Sequence, residues 1–121
     1  MLYTKLELEG VVLIQSAVHR DDRGFLIEGF EEGQFAAHSL PITFAQELHV
    51  RSLPGVLRGL HFQRDPGQGK LVSVARGRIW DVVVDIRPES TTFGKHVAVE
   101  LAEDSGLAVW IPAGFAHGYC V

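Results

Sequence analysis

Residues 69–86 read GKLVSVARGRIWDVVVDI, two short apolar runs that flank a turn signal at Arg76–Gly77. Both runs are rich in valine and isoleucine, which favour extended backbone, so we predict a β-hairpin here with strands over about residues 70–75 and 78–86. Similar runs recur on either side, separated by clusters of glycine, proline, aspartate or serine. The further predicted strands cover residues 5–15, 26–30, 43–50, 56–63, 95–101 and 107–111, and residues 31–39 form the only predicted helical turn. Short strands at such close intervals predict an all-β sandwich or barrel, for which a jelly roll is the natural small example.

The register of the predicted hairpin decides which of its side chains share a face. If Ala75 pairs with Arg78, then Lys70 and Asp81 become diagonal neighbours within reach of each other. Trp80 and the valines that alternate with it would occupy the opposite face and pack into apolar surroundings. Lys70 and Asp81 would then form either a surface ion pair or part of a site, and the pattern alone leaves both interpretations open.

The composition limits the class of protein. The chain has 121 residues, of which 46% are hydrophobic and 21% charged, which predicts a single soluble globular domain over residues 1–121. The formal net charge is −4 and no long basic run occurs, so nucleic-acid binding gains no support. No stretch has the length of a membrane-spanning helix, and the N-terminal residues lack the apolar region of a signal peptide. We therefore expect a cytoplasmic protein without a membrane partner.

The cysteine content and the final residues carry two more predictions. Cys120 is the only cysteine, so no intramolecular disulfide can form. The last stretch, AVWIPAGFAHGYCV (108–121), has a strand pattern and stops without a polar tail or a turn. We therefore expect the native protein to continue beyond Val121, which would make this domain truncated at its C-terminus.

The run GVLRGLHFQ, residues 55–63, places Arg58 and His61 among apolar residues. Burying either group without a partner is unfavourable, so the two together predict a polar pocket inside the barrel. Strict alternation would put them on opposite faces, whereas a bulge near Gly59 would turn both inward. The plainer interpretation of His61 is a core histidine held by a backbone partner.

The metal-binding pattern of cupin barrels offers a direct test, because it requires a G-x5-H-x-H-x3,4-E block and a P-x-G-x2-H block. The second block is intact, with His117 as its histidine, and the first block contains His61. Gln63 occupies the second histidine position, and glycine or glutamine occupies the glutamate position. Two histidines and two amides make a poor site for a divalent ion. We therefore predict a cupin-like barrel without a metal, in which His61 is free to act as a base.

Several sequence blocks together resemble the dTDP-4-dehydrorhamnose 3,5-epimerase family, also called the RmlC-type epimerases. These blocks are DDRGFLIE, GVLRGLHFQ, QGKLV, DVVVDIRPESTTFG and WIPAGFAHGY, in family order from about Asp21 to His117. The resemblance implies a cupin-like jelly roll that forms a homodimer. It also implies action on a dTDP-linked 4-keto-6-deoxy sugar, without a metal, nicotinamide or other cofactor, in deoxysugar biosynthesis such as that of dTDP-rhamnose.

The resemblance further implies a role for each matching residue. His61 would be the base that removes the proton next to the ketone, with Lys70 and Arg58 stabilising the enolate oxygen. Asp81 is a candidate for orienting His61 or Lys70. Such chemistry needs a base that titrates near neutrality and a cation at the developing oxyanion. The implied substrate-binding residues are Arg23, Glu28, Gln46, Arg58 and His117, of which the first two would contact the nucleotide.

Three departures from the family pattern bear on activity. Leu48 and Val50 stand where the family has asparagine and serine, which removes two polar groups from the implied pocket. The family's proton-donating tyrosine belongs to a C-terminal stretch beyond Val121, and Tyr119 does not take its place. The aspartate that pairs with the base belongs to the same stretch. The hypothesis that follows is an incomplete or degenerate epimerase with a ligand site and weak turnover.

Two other functions stay open at this point. A non-catalytic cupin that binds a sugar nucleotide or another small ligand would explain the missing tyrosine, whereas the presence of both His61 and Lys70 favours catalysis. A metal-dependent cupin oxygenase or isomerase is disfavoured by Gln63.

Overall fold

The alternating apolar pattern folds into ten β-strands and one short helix in the computed structural model, which describes residues 1–121. Every pairing between neighbouring strands is antiparallel. The strands are β1 (Leu2–Lys5), β2 (Val12–Gln15), β3 (Val18–Asp21), β4 (Gly24–Ile27), β5 (Leu57–His61), β6 (Lys70–Ser73), β7 (Arg78–Asp85), β8 (His96–Ala102), β9 (Leu107–Ile111) and β10 (Phe115–Cys120), and the helix is α1 (Glu32–Ala37). The chain contains no helix with the length and apolar character needed to cross a bilayer.

Two four-stranded sheets form the body of the molecule. The first sheet has the strand order β1-β2-β9-β6, and the second has the order β5-β10-β7-β8. Strands that are far apart in the sequence lie side by side, as β9 does between β2 and β6. This crossing arrangement of two antiparallel sheets confirms the predicted all-β jelly roll.

The main apolar core lies between the two sheets. Val109 and Ile111 enter it from β9 of the first sheet, and Val83, Leu101 and Phe115 enter it from the second sheet. All five side chains are buried. Burial of each such side chain contributes about 1.5–3 kcal/mol, and the alternation along each strand gives every sheet one inward face. The inward face of each strand can therefore be identified from these residues.

Helix α1 covers the outer face of the first sheet. Phe35 of the helix is buried together with Ile14 of β2 in a second, smaller apolar cluster. The Glu31 carboxylate caps the helix by accepting hydrogen bonds from the N–H groups of Gly33 and Gln34, at 3.1 and 2.7 Å. A carboxylate at this end satisfies free N–H groups and favours the helix dipole, which stabilises so short a helix.

The outer face of the second sheet has no helix over it. Leu57 of β5, Cys120 of β10 and Trp80 of β7 lie directly opposite one another on neighbouring strands and so form a row on this face. Leu57 is 74% exposed and Trp80 is 53% exposed. The expectation that Trp80 packs into apolar surroundings is therefore wrong within this chain, because the buried face of β7 is the one that carries Asp81.

Strands β3 and β4 form a separate hairpin that pairs only with itself. Arg20 in β3 donates a hydrogen bond to the backbone C=O of Asp104 at 2.7 Å, in the turn between β8 and β9. Ser16 Oγ donates to the backbone C=O of Glu28 at 2.7 Å, on the other side of the hairpin. The first bond ties the hairpin to the β8–β9 turn, and the second closes the open end of the hairpin.

The predicted hairpin over residues 69–86 is wrong, although both of its strands form. Strand β6 pairs with β9, and β7 pairs with β8 and β10, so the two strands belong to different sheets. The chain crosses between the sheets at residues 74–77, where the N–H of Gly77 donates to a carboxylate oxygen of Glu103 at 3.1 Å. Each strand gains a buried face against the opposite sheet in this way, which an isolated hairpin would not provide.

The strand predicted over residues 26–30 is shifted towards the N-terminus and forms as β4, Gly24–Ile27. Two other predicted elements differ more from the structure. Residues 43–50 form no strand, and Leu48 and Val50 within them are exposed. The single strand predicted over residues 5–15 is replaced by β1 and β2, joined by a turn that carries the buried Leu8 and Val11. An alternating apolar pattern does not specify whether a partner strand is present, and this explains both differences.

Candidate active site

A β-bulge at the edge of the second sheet turns Arg58 and His61 to the same side. His61 lies directly opposite His117 of β10, and Arg58 lies opposite Tyr119. Three residue steps on β5 thus match two steps on β10, which is the register shift of a bulge. Directly opposed residues share a face of the sheet, so the bulge predicted near Gly59 is confirmed.

Gly59 makes this bulge sterically feasible. Its φ is +107°, in the region that favours glycine. A Cβ atom at this position would lie 2.6 Å from the Cα of Gly118 and 2.7 Å from the backbone oxygen of His117. The two backbones therefore approach each other at this point more closely than any side chain would permit.

The inward face of the second sheet carries an acid and a histidine in contact. Val83 and Phe115 identify the inward faces of β7 and β10, and Asp81 and His117 are each two residues away from them. Asp81 is fully buried, and its Oδ2 lies 2.7 Å from His117 Nε2. The other oxygen, Asp81 Oδ1, is buried without a hydrogen-bond partner.

This contact corrects the predicted position of Asp81. The sequence suggested that Asp81 orients His61 or Lys70, but its only side-chain hydrogen bond is to His117. His117 is in turn the cross-strand neighbour of His61. The carboxylate therefore acts on the histidine beside the predicted base, not on the base itself.

Lys70 faces the same interior from the opposite sheet. It is the first residue of β6 and lies opposite Ile111, whose side chain belongs to the core. Because paired residues share a face, Lys70 also points inward, where it is half-buried and has no carboxylate within salt-bridge distance. The diagonal Lys70–Asp81 contact expected from the hairpin is wrong, but both residues line the space between the sheets.

Arg58 and His61 remain open to solvent at the edge of this space. Arg58 Nε donates a hydrogen bond to Ser52 Oγ at 2.9 Å, which links β5 to the irregular segment before it. The imidazole of His61 is exposed and takes part in none of the side-chain hydrogen bonds of the chain. His61 is therefore not the core histidine of the plainer interpretation, and its ring nitrogens are free to exchange a proton with a ligand.

The other predicted binding residues lie outside this cluster. Arg23 sits at the tip of the β3–β4 hairpin, 86% exposed, and pairs with Asp21 at 2.6 Å. The hydrogen bonds from Arg23 hold the pKa of Asp21 below its ordinary value. A separate cleft of about 470 Å³ is lined by this hairpin, including Arg20 and Phe25. Arg23 is thus brought near a concave surface, but one that contains none of the inward-facing residues described above.

Glu28 and Gln46 are likewise exposed, in irregular segments after β4 and after α1. Gln46 precedes Leu48 and Val50, the two apolar residues noted in the sequence, and both of these are exposed as well. Neither the Glu28 nor the Gln46 side chain forms a hydrogen bond or an ion pair with His117 or Asp81, whose side chains bond only to each other.

Sequence reasoning missed one polar cluster, which we call the Asp85 network. The buried Asp85 carboxylate accepts hydrogen bonds from Arg87 Nη2 at 2.9 Å and from the hydroxyls of Ser90 and Thr92, both at 2.6 Å. Arg87 beside it holds the pKa of Asp85 well below its ordinary range, and Arg87 in turn lies 4.5 Å from the centre of the Phe115 ring. The signal that could have revealed it is the spacing of acids in DVVVD, which puts Asp81 and Asp85 on one strand face.

The side chains described contain no group of three or more His, Cys, Asp or Glu residues placed to hold a metal ion. His117, the histidine of the intact second metal block, makes its contact with Asp81 instead. That the protein works without a metal stays a prediction.

Comparison with known proteins gives one consistent result. A family model described as dTDP-4-dehydrorhamnose 3,5-epimerase matches residues 5–121. The dTDP-4-dehydrorhamnose 3,5-epimerase of Escherichia coli is 48% identical over 97% of this chain and 64% of its own length. That of Methanothermobacter thermautotrophicus is 44% identical over 97% of this chain and 63% of its own length. The chain therefore spans a little under two thirds of the length of these relatives.

Solved structures agree in fold and in sequence. The crystal structure of dTDP-6-deoxy-D-glucose-3,5-epimerase RmlC from Legionella pneumophila, in complex with dTDP-4-keto-L-rhamnose, superposes with a TM-score of 0.92 and 40% identity. The match covers 99% of this chain and 64% of that one. NovW, a 4-keto-6-deoxy sugar epimerase of Streptomyces spheroides, gives a TM-score of 0.94 and 37% identity over 100% of this chain and 62% of its own. Both the cupin-like jelly roll and the family resemblance are confirmed, and the chain belongs to the dTDP-4-dehydrorhamnose 3,5-epimerase family.

Proposed function

We propose that the protein is an isomerase that epimerises a dTDP-linked 4-keto-6-deoxy sugar, in deoxysugar biosynthesis. The observation that carries the proposal is the bulge that places His61 and Arg58 on one face, directly beside the buried His117–Asp81 pair. Lys70 faces the same interior from the opposite sheet. A free imidazole on one wall and an ammonium on the other are the groups that proton abstraction next to a ketone requires.

The reaction is a proton transfer in each direction. His61 takes the proton from the carbon next to the carbonyl, the C–H electron pair becomes a C=C bond, and the carbonyl π electrons move to the oxygen. The Lys70 ammonium and the Arg58 guanidinium stabilise the resulting enolate oxygen by holding positive charge where negative charge develops. A proton from solvent water then adds to the same carbon from the other side, the C=O bond re-forms, and the carbon is inverted. His61 releases its proton to water, so no protons or electrons are gained or lost overall.

Inversion requires that the proton returns from the side opposite His61. Tyr119 lies on the same sheet face as His61, two positions along β10 from His117. Tyr119 therefore lies on the same side as the base and cannot donate the proton that inversion requires from the opposite side. This agrees with the sequence comparison, in which Tyr119 did not stand for the family's acid.

Substrate binding would divide between the interior and the β3–β4 hairpin. His117 and Arg58 would contact the sugar, while Arg23 and Glu28 would contact the nucleotide. An arginine suits this task because its planar guanidinium binds phosphate oxygens in pairs. Gln46, in the exposed segment after α1, would add a hydrogen bond to the ligand.

The protein is further proposed to act as a homodimer. The row Leu57–Cys120–Trp80 and the neighbouring Leu60, 52% exposed, make a contiguous apolar surface on the outer face of the second sheet. Large apolar side chains grouped in this way are typical of protein interfaces. Sedimentation analysis should give twice the chain mass, and Trp80→Glu should give the mass of a single chain. A single-chain mass for both proteins would refute the dimer.

Hydrogen exchange into the substrate tests the enzymatic proposal. The chain is incubated with dTDP-4-keto-6-deoxyglucose in deuterated water, and deuterium next to the ketone is measured. We expect exchange in the wild type, none in His61→Ala, and unchanged dTDP binding in His61→Ala. Arg23→Ala should mainly weaken binding. The absence of exchange in the wild type would refute the proposal, and the measured rate also tests the predicted weak turnover.

The competing proposal of a non-catalytic sugar-nucleotide-binding cupin gains no support from the comparisons. The curated relatives and solved structures named above are themselves named as epimerases.

A further inference from the structure

The buried pair of Asp81 and His117 has a property that the proposed reaction does not use. We infer that Asp81 is a positioning residue, which fixes the tautomer of His117 so that His117 Nδ1 accepts a hydrogen bond from a hydroxyl of the sugar. The inference rests on the proposed function, because the hydroxyl belongs to the proposed substrate.

The tautomer follows from the chemistry of the contact. Asp81 Oδ2 lies 2.7 Å from His117 Nε2, a hydrogen-bond distance for a charged acceptor. An ionised carboxylate can only accept, so the hydrogen must be on Nε2. In a neutral imidazole the other nitrogen then carries a lone pair and no hydrogen, and it can only accept.

The accepting nitrogen is open to a ligand. His117 Nδ1 makes no hydrogen bond within the chain, since the only side-chain bond of this ring is the one from Nε2. Among the fully buried side-chain nitrogen and oxygen atoms, only Asp81 Oδ1 lacks a hydrogen-bond partner. His117 Nδ1 also lacks a partner, so it is not fully buried and retains some contact with solvent. The ring lies on the inward face, and His117 is the cross-strand neighbour of His61, the proposed base.

If the pair of Asp81 and His117 served only to stabilise the fold, we would expect the remaining polar atoms of both side chains to have hydrogen-bond partners. Asp81 Oδ1 is instead buried with no donor, and a buried acceptor without a partner is unfavourable for folding. The His117 ring has one side-chain hydrogen bond, the one from Nε2 to Asp81. The arrangement therefore resembles the second-layer contacts that hold a ligand-binding histidine in one orientation.

Nitrogen NMR of the imidazole rings reads the tautomer directly, without any assumption about the reaction. In the wild type we expect His117 to carry its hydrogen on Nε2 and a lone pair on Nδ1. In Asp81→Asn the amide can either accept from Nε2–H or donate to a bare Nε2, so the His117 signals should become those of a tautomer mixture. Ser90→Ala is the matched control, because it removes a hydrogen bond to Asp85, the other buried carboxylate of β7. It should leave the His117 signals unchanged.

Two results of this experiment would overturn the inference. One is a wild-type His117 that carries its hydrogen on Nδ1. The other is an Asp81→Asn protein whose His117 signals match those of the wild type.

Ligand addition completes the test and separates it from the proposed reaction. We expect dTDP-4-keto-6-deoxyglucose to shift the Nδ1 resonance of the wild type, and the exchange kcat/KM of Asp81→Asn to fall about 10–100-fold. If the substrate shifts Nδ1 but undergoes no exchange in the wild type, the reaction is wrong and the positioning role stands. An unshifted Nδ1 in the presence of saturating substrate, or normal exchange in Asp81→Asn, would overturn the positioning role.

Discussion

Asp81 and Asp85 lie on the same strand and the same face, and both are fully buried, yet their surroundings differ in every other respect. Asp85 accepts five hydrogen bonds, from a guanidinium, two hydroxyls and a backbone N–H. Asp81 accepts one, from an imidazole, and leaves an oxygen unpaired. A carboxylate whose every oxygen is satisfied serves the fold, whereas one that is incompletely satisfied beside a free base belongs to a site.

The two aspartates also differ in the reach of their contacts. The Asp85 network closes within residues 85–92, at the turn that leads from β7 to β8. Asp81 reaches across to β10, 36 residues later in the sequence. The first contact shapes a turn, and the second positions a side chain that a distant part of the chain supplies. The predictions below test whether this division into fold and site is right.

The largest expected effect is the loss of the Asp85 carboxylate. Asp85→Ala leaves the Arg87 guanidinium without its partner and two hydroxyls without their acceptor, so the free energy of unfolding should fall by about 3–5 kcal/mol. Urea denaturation at neutral pH measures it. Asp104→Ala, which removes the exposed partner of Arg20, is the control and should cost about 1 kcal/mol or less. A loss no larger than this control would contradict a structural role for Asp85.

The contribution of Asp85 to stability should also appear in the pH dependence of unfolding of the wild-type protein. Arg87 holds the pKa of Asp85 well below the unfolded value of about 3.9, so the unfolded state binds the proton more readily. The stability it contributes is complete above that unfolded pKa and is lost as the pH falls towards the folded pKa. Denaturation measured from about pH 5 down to about pH 2 should therefore show a steeper loss of stability in the wild type than in Asp85→Asn.

The pKa of Asp21 is also lowered, by Arg23 on the surface, so Asp21→Asn serves as the control for the acid experiment. It should retain most of the steep loss of stability. If Asp85→Asn retained the same slope as the wild type, Asp85 would not be the carboxylate responsible.

An intermediate effect is expected from the hydroxyls of the Asp85 network. Ser90 Oγ donates to Asp85 Oδ2 at 2.6 Å, and hydrogen bonds to charged groups contribute about 1.5–3 kcal/mol. Ser90→Ala should lower the free energy of unfolding by that amount, measured in urea. Ser105→Ala is the control, because the Ser105 hydroxyl donates to the backbone oxygen of Ala102 and accepts from the backbone N–H groups of Ala102 and Leu107, all of them neutral groups. It should cost about 1 kcal/mol. Equal losses would show that the charge of Asp85 adds nothing.

The smallest effect on stability is expected at Asp81. Asp81→Asn keeps the shape of the side chain and an oxygen that can accept from His117, so the free energy of unfolding should change by about 1 kcal/mol or less. Urea denaturation, performed beside Asp85→Ala, gives the comparison. A loss as large as that of Asp85→Ala would mean that Asp81 supports the fold in the same way, and the distinction between the two aspartates would be lost.

Much of the fold could be predicted from alternation and turn residues, because they act locally. Strands β5, β6, β7, β8 and β9 all form within the predicted ranges or within one residue of them. Which strands pair is decided by long-range packing, and for this reason the hairpin over residues 69–86 was wrong. Residues 43–50 alternate as a strand does, but no other strand of the chain pairs with them.

The site was predictable in part for a similar reason. Arg58 and His61 could be assigned to one sheet face because Gly59 between them signals a bulge, and the register bears this out. The expected burial of both side chains in a pocket inside the barrel is not found, since both are exposed. The partner of Asp81 could not be found, because the contact depends on the diagonal offset between β7 and β10. No spacing along the sequence encodes that offset.

The row Leu57–Cys120–Trp80 has a practical consequence. Its central residue is the single thiol of the chain, and it is exposed. A maleimide dye would therefore label one defined point of the outer face, with no engineering and no competing site. If the chains associate through this face, labelling of Cys120 should become slower as the protein concentration rises. The rate would then locate the association surface at one side chain, with no change to the sequence.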